Sequence, residues 1–187
     1  MRAEVKSKGR LARWERATGE WRVCEDAVLT EHWLTKRPNV NVEELFYEGC
    51  RALAEGAMGQ TVTVGLFFDR AREDSVDFRA MLCGVFRASV YGRISVMIRG
   101  CATRADLARV RREIVGAFCD LERDGREFNG YIERGLWIES PLLLLFDQIA
   151  EGMDFICIDV DEWGIEWSKR AMELWCLTSI ARSKSLE

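Results

Sequence analysis

From Thr61 onward the chain alternates four times between a short β-branched or apolar run and an amphipathic helical segment. This feature constrains the fold most, because parallel strands need long crossover connections and a helix is the usual one. The runs Thr61–Phe67, Ile94–Ile98, Gly135–Ile138 and Asp154–Ile158 read as strands, neighbours in that order. Val62, Val64, Val96, Ile138, Phe155 and Cys157 are the expected buried residues among them. Ser75–Tyr91, Thr103–Arg123, Leu142–Ala150 and Gly164–Ala181 read as the intervening helices. The clearest is Thr103–Arg123, where Thr103 is a natural cap and Leu107, Val110, Ile114, Ala117, Phe118 and Leu121 form one apolar stripe. A further helix, Glu43–Ala57, precedes the first of these strands. The pattern is an α/β fold: a shortened or incomplete (β/α)8 TIM-barrel-like parallel sheet. A standard eight-fold barrel takes ~250 residues, and this chain has 187.

The N-terminal stretch differs. Arg10–Val23 partly alternates on either side of Thr18-Gly19, which predicts a hairpin. Residues 1–26 are therefore expected to form an arm or hairpin, and residues 27–187 the barrel domain.

Charge and cysteine usage exclude several functions. The net charge of −4 gives no electrostatic reason to bind nucleic acid or an anionic membrane. The longest purely apolar run, Leu142–Phe146, is far short of the ~20 residues of a membrane span. The opening Met-Arg-Ala-Glu has no apolar signal region, so a cytoplasmic protein is expected. No two of the seven cysteines form a Cys-x-x-Cys clip, so they read as small buried hydrophobes rather than zinc ligands or a disulfide framework. His32 is the single histidine and has no nucleophile elbow beside it. Trp163, Trp167 and Trp175 load the C-terminal segment with aromatic surface, and uncovered strand edges add to it. Together they predict a homo-oligomer.

In parallel α/β proteins chemistry gathers at the C-terminal strand ends. Two of these ends are acidic: Ile138-Glu139-Ser140-Pro141 and Ile158-Asp159-Val160-Asp161-Glu162. Such carboxylates suit Mg²⁺, a hard cation that prefers oxygen ligands, or else they cap the helices that follow.

Several stretches resemble a known family in order and spacing. Gly135-Leu136-Trp137-Ile138-Glu139-Ser140-Pro141 is similar to the Gly-x-Met-x-Glu-Thr/Val-Pro strand of the phosphoenolpyruvate-utilising enzymes. This is the family of phosphotransferase-system enzyme I and pyruvate phosphate dikinase. Asp147 to Ile158 resembles its Asp-Gln-Leu-Ala-Lys-Glu-Val-Asp-Phe-Phe-Ser-Ile segment. Phe86 to Ile94 resembles Leu-Arg-Ala-Ser-Ala-Phe/Tyr-Gly-Lys-Leu, and Ala102 to Leu107 falls where the family starts a helix.

The resemblance implies a (β/α)8 barrel that binds phosphoenolpyruvate with Mg²⁺ and passes the phosphoryl group to a histidine on a separate domain. It implies Glu139 and Glu162 as the metal ligands, with Glu162 replacing the family's Asp. It also implies phosphate-binding arginines, but Leu29 and Gly65 stand at two of those positions. Arg70 and Arg72 are unaligned alternatives for a third. The family's cysteine acid and phosphohistidine domain have no counterpart here, and Cys176 reads as a core residue. Phosphoryl transfer relies on donors positioned around the equatorial oxygens, and losing one costs several kcal/mol in comparable sites.

The expectation is therefore an impaired or inactive phosphotransferase-related domain, a pseudoenzyme that binds a small carboxylate, a phosphoenolpyruvate-like ligand or Mg²⁺. The alternative is a Mg²⁺-dependent lyase or aldolase acting on a 2-oxo acid through Glu139 and Glu162. Arg99, at the end of the third-quarter strand Ile94–Ile98, is the candidate anion partner in that reading, or else a solvated loop residue.

Overall fold

The computed structural model describes residues 11–15, 20–24, 28–29, 41–68, 76–138 and 152–159. Its helices begin where the sequence supplies caps. Asn41 accepts a hydrogen bond from the Glu44 amide at 3.2 Å and opens α1 (Val42–Gly56), with Glu43 and Glu44 in the first turn. Those acids favour the positive end of the helix dipole. Thr103 opens α3 (Arg104–Arg123) through a reciprocal box with Asp106. The Asp106 carboxylate accepts from the amides of Thr103 and Ala102, so its near-complete burial is matched by hydrogen bonds.

Between them, α2 spans Val76–Ala88. It stops earlier than its apolar pattern suggests, because residues Ser89–Tyr91 tighten into a 3-10 turn. The Ser89 hydroxyl donates to the Phe86 carbonyl at 2.6 Å and accepts from the Asn129 amide at 2.9 Å. One side chain thus ends the helix and anchors the loop before the next strand.

Seven strands form one sheet in the order β2-β1-β7-β6-β5-β4-β3. They are β1 (Leu11–Glu15), β2 (Glu20–Cys24), β3 (Val28–Leu29), β4 (Val62–Phe67), β5 (Ile94–Arg99), β6 (Glu133–Ile138) and β7 (Phe155–Asp159). From β3 to β7 every pair is parallel. The four strands expected from the sequence are therefore present, adjacent and parallel in chain order. The expected hairpin is β1–β2, with Trp14 opposite Trp21. Its place in the sheet was not legible: β1 runs antiparallel along β7. The expected segments Leu142–Ala150 and Gly164–Ala181 lie outside the described residues.

The parallel strands separate two apolar layers. Val64, Leu66, Val96, Ile98, Leu136, Ile138, Ile156 and Ile158 face the helices and join the main core with Phe46, Leu82, Phe86, Val110 and Ile114. Met97, Trp137, Phe155 and Cys157 alternate with them and form a second cluster on the other face. Val62, at the start of β4, is only half-buried, unlike the other five residues expected inside.

The helices lock to each other at close range. Arg87 of α2 reaches Glu43 at 2.7 Å and Glu44 at 3.0 Å on α1. Burial alone would lower its pKa, but the hydrogen bonds to Glu44 and Glu43 raise it overall. Arg79 of α2 bonds Glu113 of α3 at 2.7 Å. Gly84 lets the α1 and α2 backbones touch: a Cβ there would collide with the Glu43 carbonyl, the Phe46 side chain and the Tyr47 amide. Among the described residues no helix is long and apolar enough to cross a membrane.

Two predictions follow from this packing. Gly84→Ala should destabilise the protein by about 1–3 kcal/mol, since the obstructing atoms are helix backbone, and thermal denaturation followed by circular dichroism measures it. The second concerns the buried thiols. Burial pushes Cys50 from 9.0 up to about 12, and burial with smaller contributions from Glu43 and Asp120 does the same to Cys83. A pKa raised in the folded state gives stability that is complete below pH 9 and is lost as the pH rises towards 12. Stability in urea should fall in that window by up to about 1.4 kcal/mol per pH unit per thiol, and Cys50→Ala should reduce the slope.

Candidate functional site

The C-terminal ends of β4, β5, β6 and β7 lie side by side, because the four strands are parallel and hydrogen-bonded in sequence order. On the face away from the helices, Phe67 pairs with Arg99, and Arg99 lies one step past the Ile98–Leu136 pair, level with Trp137. Trp137 in turn pairs with Cys157. One row thus carries an aromatic ring, a guanidinium, an indole and a thiol across four strands.

Arg99 is the last residue of β5 and half-buried. Its guanidinium carbon sits 4.4 Å from the centroid of the Trp137 ring. That stack orients a planar cation at the strand end and is worth ~0.5–2 kcal/mol depending on exposure. Arg99 is thus a strand residue packed on a ring. Phe67 is still 44% exposed and lies against Gly100, whose φ of +81° turns the chain sharply away from β5. A Cβ on Gly100 would meet the Phe68 carbonyl and the Phe67 ring, so glycine fits both the turn and the space.

Below this row the face is filled. A Cβ at Gly135 would run into the Phe155 ring, so the missing side chain makes room for Phe155 to lie across β6. Lower still, the Thr63 and Ser95 hydroxyls bond each other at 2.9 Å across β4 and β5. Trp137 is 1% exposed, and its indole N–H is buried with no hydrogen-bond partner among the described residues. The inward indole was not anticipated; the period-two alternation of Gly135, Trp137 and Glu139 against Leu136 and Ile138 was the available signal.

Among the described residues no cluster of three or more His, Cys, Asp or Glu side chains has metal-binding geometry. Glu139 follows directly after the last residue of β6, and Glu162 comes three residues after β7. Both lie outside the described residues, as do His32, Arg70, Arg72 and Cys176. The strands that precede the two glutamates are neighbours.

No protein-family profile matches the chain. Curated proteins do. The phosphoenolpyruvate-protein phosphotransferase of Listeria monocytogenes is 34% identical over 86 residues, that of Staphylococcus epidermidis 31%, and that of Staphylococcus aureus 29%. Each alignment covers 46% of this chain and 15% of the relative. Over that stretch the chain is similar to these phosphoenolpyruvate-protein phosphotransferases. It matches only about a seventh of the length of these curated relatives, and its own sheet has the parallel βα order of a partial barrel.

The relationship gives meaning to two missing charges. Leu29 lies in β3 and Gly65 in β4, with Leu29 paired to Val64. These are the positions where the resemblance to phosphoenolpyruvate-utilising enzymes implies arginines. Two adjacent strands therefore carry no guanidinium there, while Arg99 supplies one on the next strand along. Trp137→Phe should cost no more than about 1 kcal/mol, because removing an unpaired buried N–H offsets part of the lost ring volume. Chemical denaturation with Arg99→Met as a comparison separates the ring's packing from its stack with the cation.

Proposed function

We propose that this chain is a phosphotransferase-related barrel domain, impaired in phosphoryl transfer, that binds a small carboxylate or phosphoenolpyruvate-like ligand at the C-terminal mouth of its sheet. The observation that carries the reading is Arg99, a planar cation held over Trp137 at the end of β5. One oriented guanidinium suits a carboxylate bidentately. A phosphoryl group in flight needs several such donors at once, and the positions of Leu29 and Gly65 supply none. Self-association belongs to the same proposal; Met58 and Tyr131, at 95% and 96% exposure, are apolar surface in water.

Mg²⁺ enters through Glu139 and Glu162. Two carboxylates that follow neighbouring strand ends repel each other unless they share a cation or a proton, and their oxygens are the donor type Mg²⁺ prefers. A bound Mg²⁺ would polarise an oxygen of the ligand; Arg99 would hold the ligand's carboxylate, and Trp137 would keep Arg99 in place. The Glu139 and Glu162 pair also supports a second reading, a lyase or aldolase that stabilises the enolate of a 2-oxo acid.

Thermal-shift measurements separate these readings. Phosphoenolpyruvate or pyruvate should raise the melting temperature, and Arg99→Met should abolish the rise without unfolding the protein. If Mg²⁺ takes part, millimolar metal should enlarge the shift, and the double change Glu139→Gln, Glu162→Gln should remove that increment alone. Metal-dependent turnover of a 2-oxo acid would favour the lyase. A melting temperature unmoved by any of these additions would overturn ligand binding, and a monomer mass by light scattering at tens of micromolar would overturn self-association.

A further inference from the structure

The strand order and the chain's length between two strands do not fit a flat sheet. β2 and β3 stand at opposite ends of a seven-strand order, six strand spacings apart. At ~4.8 Å each, that is about 29 Å. Only residues 25–27 separate Cys24, the last residue of β2, from Val28, the first of β3. Four Cα–Cα steps of ~3.8 Å span at most about 15 Å. The register widens the discrepancy. Leu11 pairs with both Cys24 and Asp159, so β2 ends level with the C-terminal end of β7. Val28 pairs with Thr63, near the start of β4. In a flat sheet the link would have to cross the full width and also descend most of a strand length. Rolling the sheet with a stagger brings those two points together, and the coupled tilt and shear of barrels does this.

We propose that the β1–β2 hairpin is the closing wall of a rolled, seven-stranded ring, docked in its own chain along the outer edge of β7. β1 takes the edge that a parallel strand takes in a regular (β/α) barrel. β2 runs parallel to β7 on the far side of β1, and its short link to β3 ties the wall to the opposite end of the sheet. No ladder joins β2 to β3 among the described residues. The hairpin's open end, with Leu11 and Cys24, lies level with Asp159 and borders the mouth that holds Arg99.

The arrangement also makes the edge of β7 exclusive. A strand that follows β7 in sequence, or one from a second copy, pairs with β7 only if β1 leaves. This inference does not depend on which ligand the mouth binds.

A single substitution in the full chain tests it. Arg13 lies directly opposite Cys157 in the antiparallel ladder, and Cα atoms so paired are ~4.5–5.5 Å apart, within disulfide range. Oxidised Arg13→Cys protein should form an intrachain bridge to Cys157, identified by peptide mapping of monomeric protein on a non-reducing gel. A bridge that links only two chains would place the hairpin on a second copy and overturn the proposal. Hydrogen exchange on the unaltered protein gives an independent reading, because β1 has a strand on each side. The amides of β7 should be protected as well as those of β5, and Arg13→Pro should raise their exchange about tenfold or more. Unaltered protein in which β7 exchanges as fast as an exposed edge strand would overturn the docking, whether or not the proline variant folds.

Discussion

Every feature of this molecule depends on the parallel ladder from β4 to β7. A parallel strand in such a sheet is buried on both faces, so each residue along it needs a neighbour above or below rather than water. The helices supply those neighbours on one side, through Leu82, Phe86, Val110 and Ile114. On the other side Met97, Trp137, Phe155 and Cys157 pack on one another. The same ladder fixes which strand ends share a rim, and so decides that Arg99, Trp137 and the approaches to Glu139 and Glu162 come from adjacent strands.

Among the described residues of the row that runs Phe67, Arg99, Trp137 and Cys157, Arg99 is the cation. Its guanidinium stacks on the Trp137 ring, and its neighbours in the row are Phe67 and Trp137. The inward indole of Trp137, where the resembling motif has methionine, is the bulkiest change in that row.

Much of this was legible in the sequence. The alternation after Thr61 is a consequence of period two against period 3.6, and it placed four strands and the helix between Thr103 and Arg123 because burial on a sheet and on a helix demands different spacings. Thr103 and Asp106 announced the start of α3 because a cap depends only on residues three apart. The position of Arg99 at the end of a strand was legible because strand ends can be counted. The antiparallel docking of β1 on β7 was not legible, since Leu11 and Asp159, or Glu15 and Phe155, lie too far apart in sequence to leave a local pattern. The inward face of Trp137 was not legible, since period-two alternation does not say which face of a sheet buried on both sides each set of residues takes. The end of α2 was overrun because Ser89, Val90 and Tyr91 continue an apolar pattern while a side-chain hydroxyl competes for the helix carbonyl.

The close approach at Gly84 has a mechanical consequence. With no side chain between them, α1 and α2 meet through backbone, and the charged contacts of Arg87 with Glu43 and Glu44 pin the same crossing. Two helices joined in this way cannot slide past each other by repacking rotamers, since there are few rotamers at the contact to change. They move as one strut. Any breathing of the mouth must then arise in the strands and their connecting loops, with this flank of the molecule serving as the fixed frame against which the rest can shift.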